Sequence, residues 1–448
     1  MFRISKRTMR FTPVVVAVLV GVACTSNPAV TLSAGTPLDG NSFVIRNVRV
    51  FDGSHAIERS NVVVRSGLIA SVGRSMPAGL PVIDGSGRTL LPGFIDTHGH
   101  VGNEGALRNA LRFGVTTVLD MLTSIDAVRP LKARRTRMDR TDLADLYTAG
   151  SPITSPRGLG TQFGIPFTTI SAPGEAPTFV KGRISEGSDY IKILYEPGAP
   201  LFTTISRETL SAVVAAAHAE GVLALVHVSS VEGARDAVRA GADGLAHSFG
   251  DSLIEDALAK EIAARSVFVT PTLSIFAAFQ RKPIGPALAA DSRLSPYLTA
   301  AQRTGLTSPG PGPEHPMAPY LVRFDVDRAS ENVRRMKAAG VRILSGTDAP
   351  NLGSHGVSLH GELELLTKAG LSPAEALTAA TLAPAQAFKL SDRGQIKAGM
   401  RADLVLVEGD PTQNIEMTRA IVRIFKNGYE VSRSLPLTAP SASQSPKT

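Results

Sequence analysis

The chain has 448 residues, of which 43% are hydrophobic and 19% charged, and its formal net charge is +8. This is a globular composition, long enough for one large domain and a smaller one. Beyond the basic first ten residues, the sequence contains no run of Lys and Arg interleaved with aromatic residues. The net charge therefore does not indicate a nucleic-acid-binding protein. The single cysteine excludes a disulfide bond within the chain.

Residues 1–23 have the order of an export signal peptide. The basic stretch MFRISKRTMR precedes the apolar stretch FTPVVVAVLVGVA, which is too short to span a membrane. Cleavage after Ala23 would leave Cys24 at the new N-terminus, and GVAC resembles a bacterial lipobox. A lone exposed thiol is usually avoided in exported proteins. We therefore expect an exported protein, either a cell-envelope lipoprotein tethered to the membrane through lipidated Cys24 or a soluble periplasmic or secreted protein.

Alternating stretches near both ends of the chain predict one small β domain. After a polar linker over residues 24–40, FVIRNVRVFDG and NVVVRSGLIASVG alternate apolar and polar residues and end in glycine-containing turns. ADLVLVEGD and RAIVRIFKNGYEV have the same character near the other end. We expect residues 41–90 and 395–435 to form a small β-sandwich domain built from both chain ends. Residues 436–448 are expected to be a disordered tail.

Strands alternate with helices over residues 91–394. Examples of the eight strand-like segments are GVTTVLDM, DYIKILYE, VLALVHVSS and VRILSGTDAP, whereas YTAGSPITS, the third, has the weakest pattern. SRETLSAVVAAAHAEG has the pattern of an amphipathic helix closed by Gly221. The alternation predicts an α/β protein with a (β/α)8 TIM barrel. Residues 281–320, rich in Pro and Gly, interrupt it and are expected to be a lid or a disordered excursion.

Several metal-ligating side chains lie at the predicted ends of these strands. The set is His98, His100, Lys192, His227, His247 and Asp348. His98 and His100 point the same way because strand side chains alternate, and neutral imidazole is a ligand for zinc and similar metals. Each residue alone has a structural alternative, such as pairing of Lys192 with Asp189 or Glu196. The set as a whole indicates a metal site at the barrel mouth.

This order of residues resembles the amidohydrolase superfamily. That family has His-x-His after the first barrel strand, Lys on the fourth, His after the fifth and sixth, and Asp after the eighth. The flanking sequences LLPGFIDTHGH, SGTDAP and GQIKAGMRADLVLVEGDP are similar as well. DYIKILYEPG, AAAHAEGVLALVHVSS and LHGELELLTKAGLSPAEALTAATLAPAQAF are most similar to the imidazolonepropionase-like and prolidase-like branch.

The resemblance implies two divalent metal ions, with zinc the expected metal, bridged by an N6-carboxylysine at Lys192. By position, one ion would be bound by His98, His100 and Asp348 and the other by His227 and His247. Asp348 would also carry a proton from a metal-bridging hydroxide to the leaving amine. We expect an exported amidohydrolase that cleaves an amide or other C–N bond in a peptide-like, N-acyl amino acid or cyclic amide substrate. Tyr195, beside Lys192, is a candidate for substrate contact or for simple packing.

Two alternative functions stay open. Deaminases of the superfamily use one metal and a Glu three residues after the strand-five His, where this chain has Ser230 and then Glu232 as the first acid. A non-catalytic barrel that binds a metal or a partner would be expected to have lost at least one ligand. The expected partner is a small molecule or short peptide and not a nucleic acid, and the oligomeric state cannot be read from the sequence.

Overall fold

The computed structural model describes Leu38, residues 40–163 and residues 168–435. The predicted signal peptide, Cys24 and the predicted tail over residues 436–448 therefore lie outside the described residues. No helix in the described part of the chain is long and apolar enough to cross a membrane.

The strands form one mixed sheet and two parallel sheets. In chain order they are β1 (Phe43–Phe51), β2 (Ala56–Arg65), β3 (Leu68–Gly73), β4 (Val82–Asp84), β5 (Arg88–Pro92), β6 (Phe94–Gly99), β7 (Val115–Asp120), β8 (Asp145–Thr148), β9 (Ile191–Leu194), β10 (Ala224–His227), β11 (Gly244–Ala246), β12 (Phe268–Thr270), β13 (Leu404–Glu408), β14 (Ile421–Lys426) and β15 (Tyr429–Glu430).

The mixed sheet joins strands from both ends of the chain. Its order is β15-β14-β13-β5-β1-β2-β3, and β4 also pairs with β1. The two ends meet where β13 runs antiparallel to β5, with Leu406 opposite Leu90. The rings of Phe43 and Phe425 stack on the buried face with their centroids 4.6 Å apart. The sheet thus brings the sequence segments predicted to form the β domain into one hydrogen-bonded unit.

The parallel strands have the order of a TIM-barrel-like α/β fold. One sheet is β6-β7-β8 and the other is β9-β10-β11-β12. Single parallel bridges continue the pattern between Ile153 and Ile193, Val269 and Ile343, and Gly99 and Ala349. The third predicted strand begins earlier than expected, at Asp145, and the eighth is represented by the bridge at Ile343 without a longer ladder.

Helices follow most of the parallel strands. They are α1 (Glu104–Arg112), α2 (Ile125–Lys132), α3 (Ala176–Glu186), α4 (Arg207–Ala219), α5 (Val231–Ala240), α6 (Asp256–Ala264), α7 (Leu273–Phe279), α8 (Ile284–Ala290), α9 (Ala300–Thr307), α10 (Ala318–Leu321), α11 (Val326–Ala338), α12 (Val357–Lys368), α13 (Pro373–Ala379) and α14 (Leu382–Ala387). The predicted amphipathic helix is α4, which begins after the N-cap Ser206, whose side chain accepts a hydrogen bond from the Thr209 N–H.

The insertion over residues 281–320 is helical, so the expectation of a disordered excursion is wrong. It contains α8, α9 and α10, and α9 begins with a capping box formed by Thr299 and Gln302. Its apolar side chains pack with Phe113 of the barrel in a separate cluster that includes Leu288, Leu294, Leu298 and Leu306. Burial of these leucines favours ordered helical structure in the segment, although its Pro and Gly content indicated the opposite.

Gly346 lies in VRILSGTDAP, the segment of the eighth predicted strand, and its lack of a side chain allows this segment to approach β6 closely. A Cβ atom at this position would lie 2.5 Å from Thr270 Cγ2 and 2.8 Å from the backbone nitrogen of His98. We predict that Gly346→Ala lowers the free energy of unfolding by about 1–3 kcal/mol through overpacking, and that it impairs activity by displacing His98. Gly182 in α3 is the control, because nothing lies within 4 Å of its added Cβ. Equal stability of the two alanine variants in denaturant titrations would contradict the prediction.

Candidate metal centre

The six predicted ligands lie at the same ends of the parallel strands. His98 lies in β6, Lys192 in β9 and His227 at the end of β10, while His247 follows β11 and Asp348 follows the bridge at Ile343. All are buried except His100, whose side chain is 23% exposed. Residues spread over 250 positions of the sequence thus share one small volume because parallel strands end at one edge.

His98, His100 and Asp348 form the tightest group. Asp348 Oδ1 lies 2.7 Å from His100 Nε2 and 3.5 Å from His98 Nε2. One ligand atom from each residue lies within 4.8 Å of the others, a spacing that can hold a metal ion. The three side chains therefore present two imidazole nitrogens and one carboxylate to a common point, which is a donor set suited to zinc.

His247 and His227 extend the cluster from the other side of the barrel mouth. The ring centroid of His247 is 4.5 Å from that of His98 and 4.5 Å from that of His227. His247 has a positive φ of 74°, and this left-handed backbone turns its side chain inward directly after β11. The four imidazole rings thus form one cluster in which each ring lies next to at least one other.

Hydrogen bonds at the second ring nitrogen fix two of the imidazoles. His100 Nδ1 lies 3.3 Å from the carbonyl oxygen of Leu122, and His247 Nδ1 lies 2.7 Å from Thr272 Oγ1. Partners of this kind set the tautomer and orientation of metal-binding histidines. In both residues the Nε2 atom is left to face the cluster.

Two buried aspartates that the sequence reasoning did not single out hold the strand ends in place. Asp96 accepts hydrogen bonds from the backbone N–H groups of His98 and Thr347, both at 3.1 Å. Asp120 accepts a hydrogen bond from Thr148 Oγ1 at 2.5 Å. Burial raises the pKa of each carboxyl to about 6. An acid inside an apolar strand, as in FIDTHGH and GVTTVLD, is the signal that could have found them.

The amine of Lys192 is buried in the cavity that the four imidazoles line. Its Nζ atom is buried and has no hydrogen-bond partner among the described residues. Burial lowers the pKa of its ammonium to about 7, although the charges of Asp348 and Asp120 act in the opposite direction. Burial also holds the pKa of His98 well below its usual range, and the charge of Lys192 adds to this effect. Burial thus favours the neutral forms of Lys192 and His98. At His100, burial is outweighed by the hydrogen bond to Asp348 and the charge of that carboxylate, so the pKa of His100 is raised.

His227 contacts a polar network that was not predicted. Its Nε2 atom lies 2.9 Å from Glu196 Oε1 and 3.2 Å from the hydroxyl of Tyr320. The other carboxylate oxygen of Glu196 accepts hydrogen bonds from Ser229 Oγ and from Arg323 Nη1. Tyr320 is the last residue of the 281–320 insertion, and Arg323 follows it. The insertion therefore contacts the metal-ligating cluster directly, through the Tyr320 hydroxyl and His227.

Tyr195 is not among the residues that line the cavity at the strand ends, and its contact with substrate stays a prediction. Its hydroxyl donates a 2.8 Å hydrogen bond to Asp236 in α5, and its side chain is buried. The alternation along β9 explains this placement, because Lys192 and Leu194 face the cavity whereas Tyr195 has the opposite parity. Its packing role, the alternative considered above, agrees with this position.

The acid expected of a deaminase is not placed at the cluster. Ser230 caps α5 by accepting a hydrogen bond from the Gly233 N–H. Glu232 is exposed and pairs with Arg207 at 2.8 Å. Neither residue lines the cavity that contains the metal-ligating side chains.

A cavity of about 620 Å³ opens above the cluster. Its floor contains the imidazoles of His98, His100, His227 and His247 together with Lys192 and Asp348. Residues of the insertion, most of them in its non-helical segment between α9 and α10, and the loop after Asp348 form much of its wall. The volume is within the range of small-molecule sites. Four imidazoles, a carboxylate and a buried amine without a hydrogen-bond partner are together the side chains that would fit a metal centre in this cavity.

Comparisons with known proteins match this arrangement. The model of the amidohydrolase family matches residues 89–432. Over 340 residues the chain is 26% identical to an uncharacterized protein of Mycobacterium tuberculosis, covering 73% of this chain and 81% of that relative. A match of 113 residues to urease subunit alpha 1 of Streptomyces avermitilis is 29% identical, but it covers 22% of this chain and 20% of the subunit.

Solved structures show the same fold at low sequence identity. A Xaa-Pro dipeptidase with bound methionine superposes with a TM-score of 0.68 at 22% identity, covering 87% of this chain and 99% of its own. Molinate hydrolase superposes with a TM-score of 0.70 at 21% identity, covering 92% and 99%. The family match runs from β5 to beyond β15 and includes every predicted ligand. The chain therefore belongs to the amidohydrolase family, and it is a hydrolase that acts on C–N bonds.

Proposed function

We propose that the protein is an exported binuclear metal-dependent amidohydrolase that cleaves an amide or other C–N bond of a small-molecule or short-peptide substrate. The observation that carries this proposal is the buried, unpartnered amine of Lys192 among four imidazoles. A cation in this position would repel metal ions, whereas a carboxylated amine would attract them. The proposal thus gives this lysine a chemical reason to be buried.

The ligand assignment follows from the grouping of the side chains. His98, His100 and Asp348 would hold one divalent ion, and His227 and His247 the other. Lys192 would bridge them after its neutral amine adds to the carbon of CO2 and loses one proton, which leaves a carboxylate with one negative charge. Zinc is the expected metal because imidazole nitrogen and carboxylate oxygen are its common ligands.

The residues of the chain would then move the proton and orient the substrate. The bound ions would supply an activated water and polarise the scissile carbonyl. Asp348 would accept the proton from the attacking water and donate it to the leaving nitrogen as the C–N bond breaks. The Tyr320 hydroxyl, in the wall of the cavity beside His227, would be a neutral donor near the reacting groups.

We also propose that the parallel strands close into a complete (β/α)8 barrel over residues 91–394. Supporting this, side chains from most of the strand segments share one apolar cluster, including Ile95, Leu119, Leu225, Phe268 and Leu344. The strands of residues 41–90 and 395–435 would form the separate β-sandwich domain. Their own apolar cluster includes Phe43, Ile45, Leu90, Leu404 and Phe425.

The first prediction from this proposal tests the bridging role of Lys192. Lys192→Ala should lose at least one metal ion and lower turnover by about 100-fold or more, because the bridging anion is removed. Lys181→Ala in α3 is the control, since that side chain is 68% exposed and its loss should change stability by less than about 0.5 kcal/mol. Metal content and turnover would be measured together, and a short-chain carboxylic acid should partly restore the Lys192→Ala protein. Two metals and near-normal turnover in that variant would refute the carboxylate bridge.

The second prediction separates metal binding from proton transfer at Asp348. Asp348→Asn keeps the shape and one oxygen ligand but cannot carry the proton, so turnover should fall much further than metal content. Metal analysis and steady-state kinetics on one preparation would compare the two losses. Parallel loss of metal and activity would assign Asp348 a binding role alone.

The third prediction concerns export and the membrane anchor. The order of basic, apolar and GVAC segments over residues 1–24 leads us to expect mature protein that begins at Cys24 and carries lipid there. Mass spectrometry of protein from the native host would measure this, and Cys24→Ser should release the exported protein from the membrane fraction. Intact Met1 would refute processing, whereas an unmodified Cys24 would remove only the anchor.

A further inference from the structure

The cavity above the metal-ligating cluster has a predominantly apolar wall. The side chains that form this wall include Leu159, Leu194, Phe279, Met317, Leu321 and Phe324. The ring of Phe324 packs against those of Phe279 and Tyr320, with both centroids 5.2 Å away. Edge-to-face and tilted aromatic groups of this kind provide a surface that binds another ring or a branched alkyl group. We call these side chains the apolar wall.

Four polar side chains line the cavity in addition to the predicted ligands, and none of them is Lys, Arg, Asp or Glu. They are Gln162, His315, Tyr320 and Asn351. His315 Nδ1 accepts a 3.1 Å hydrogen bond from the Met317 N–H. Asn351 Nδ2 donates to Asp348 Oδ1 at 3.2 Å, which leaves its carbonyl oxygen as an acceptor. These groups match the donors and acceptors of an uncharged amide.

Among the described residues that line the cavity, Lys192 is the only Lys or Arg, and it belongs to the proposed metal bridge. Two guanidinium groups of the nearby chain are bonded elsewhere: Arg281 to the carbonyl oxygen of Gly310, and Arg323 to Glu196. The four residues between 163 and 168 are Gly, Ile, Pro and Phe, which carry no charged side chain. The cavity thus offers no guanidinium clamp for a carboxylate outside the metal centre.

We infer that the substrate is an uncharged amide with an aromatic or branched aliphatic group, and not a dipeptide or N-acyl amino acid with a free carboxylate. The inference rests on the proposed function and narrows it. A carboxylate against the apolar wall would lose its hydration without gaining a Lys or Arg partner outside the metal centre, which disfavours binding. A neutral ring would bury its surface against Phe279 and Phe324, and about 620 Å³ is in the range of cavities that hold drug-sized ligands.

The test compares two substrates that differ in one group. Phenylacetanilide is uncharged, and 4-(phenylacetylamino)benzoate carries a carboxylate on the same anilide ring. With the metal-loaded full chain, kcat/KM should be at least about tenfold higher for phenylacetanilide. Equal values, or a higher value for the benzoate, would overturn the inference.

A charge placed in the cavity should reverse the preference. Met317→Arg puts a guanidinium into the apolar wall and should shift the ratio of the two kcat/KM values toward the benzoate by about tenfold or more. Val322→Arg is the matched control, because this side chain lies five residues further along, is 74% exposed and does not line the cavity. It adds the same charge and should leave the ratio unchanged. An equal shift in both variants would attribute the effect to net charge and contradict the apolar wall.

Binding measurements distinguish failure of the inference from failure of the proposed function. Calorimetry with the Asp348→Asn protein would measure the affinity for each anilide without turnover. If the metal-loaded protein hydrolyses neither compound but the variant still binds phenylacetanilide more tightly, the substrate class stands and the proposed amide hydrolysis fails. If the variant binds both equally or prefers the benzoate, the substrate class fails whatever the turnover.

Discussion

Burial of the Lys192 amine is the constraint around which the site is built. The interior of a protein disfavours an unpaired ammonium, and the neighbouring imidazoles add no negative charge to compensate. Burial lowers the pKa of this amine to about 7, which favours its neutral form relative to an exposed lysine. A neutral amine can become an anion by carboxylation, so the burial that disfavours an ordinary lysine at this position is compatible with the proposed metal bridge.

The scaffold holds this arrangement through bonds between strand ends. Asp96 connects the backbone of His98 with that of Thr347 and thereby fixes β6 against the segment that carries Asp348. Gly346 permits the close approach of the same two segments. Because these contacts are buried and specific, small displacements of either segment would be transmitted directly to the ligands. The geometry of the site therefore depends on how closely β6 packs against the segment that carries Gly346 and Asp348.

Buried ion pairs connect the mixed sheet, which joins strands from both chain ends, to the parallel strands. Lys426 in β14 pairs with Asp145 in β8 at 2.8 Å and with Asp403 at 2.7 Å, and Arg393 pairs with Asp145 at 2.6 Å. Breaking such a buried pair leaves an unpaired charge and typically costs about 3–5 kcal/mol. At the opposite ends of the strands, Arg323 connects the segment after α10 to Glu196. The insertion is thereby part of the cavity wall and not an appendage.

The sequence by itself predicted the α/β alternation, the helix α4 and six candidate ligands that line one cavity, because strand periodicity and strand-end histidines are local patterns. The sequence also indicates that the Tyr195 side chain points to the opposite face of β9 from that of Lys192, because the two residues are an odd number of positions apart in an extended segment. The roles of Glu196 and Tyr320 required the tertiary structure, because Tyr320 lies far along the chain from His227 and no local pattern links them. The helical insertion was concealed for a related reason: its Pro and Gly residues disfavour regular structure locally, and only burial of its leucines against Phe113 decides the outcome. Local periodicity thus determined which side chains face the strand ends, whereas long-range packing decided which of them meet.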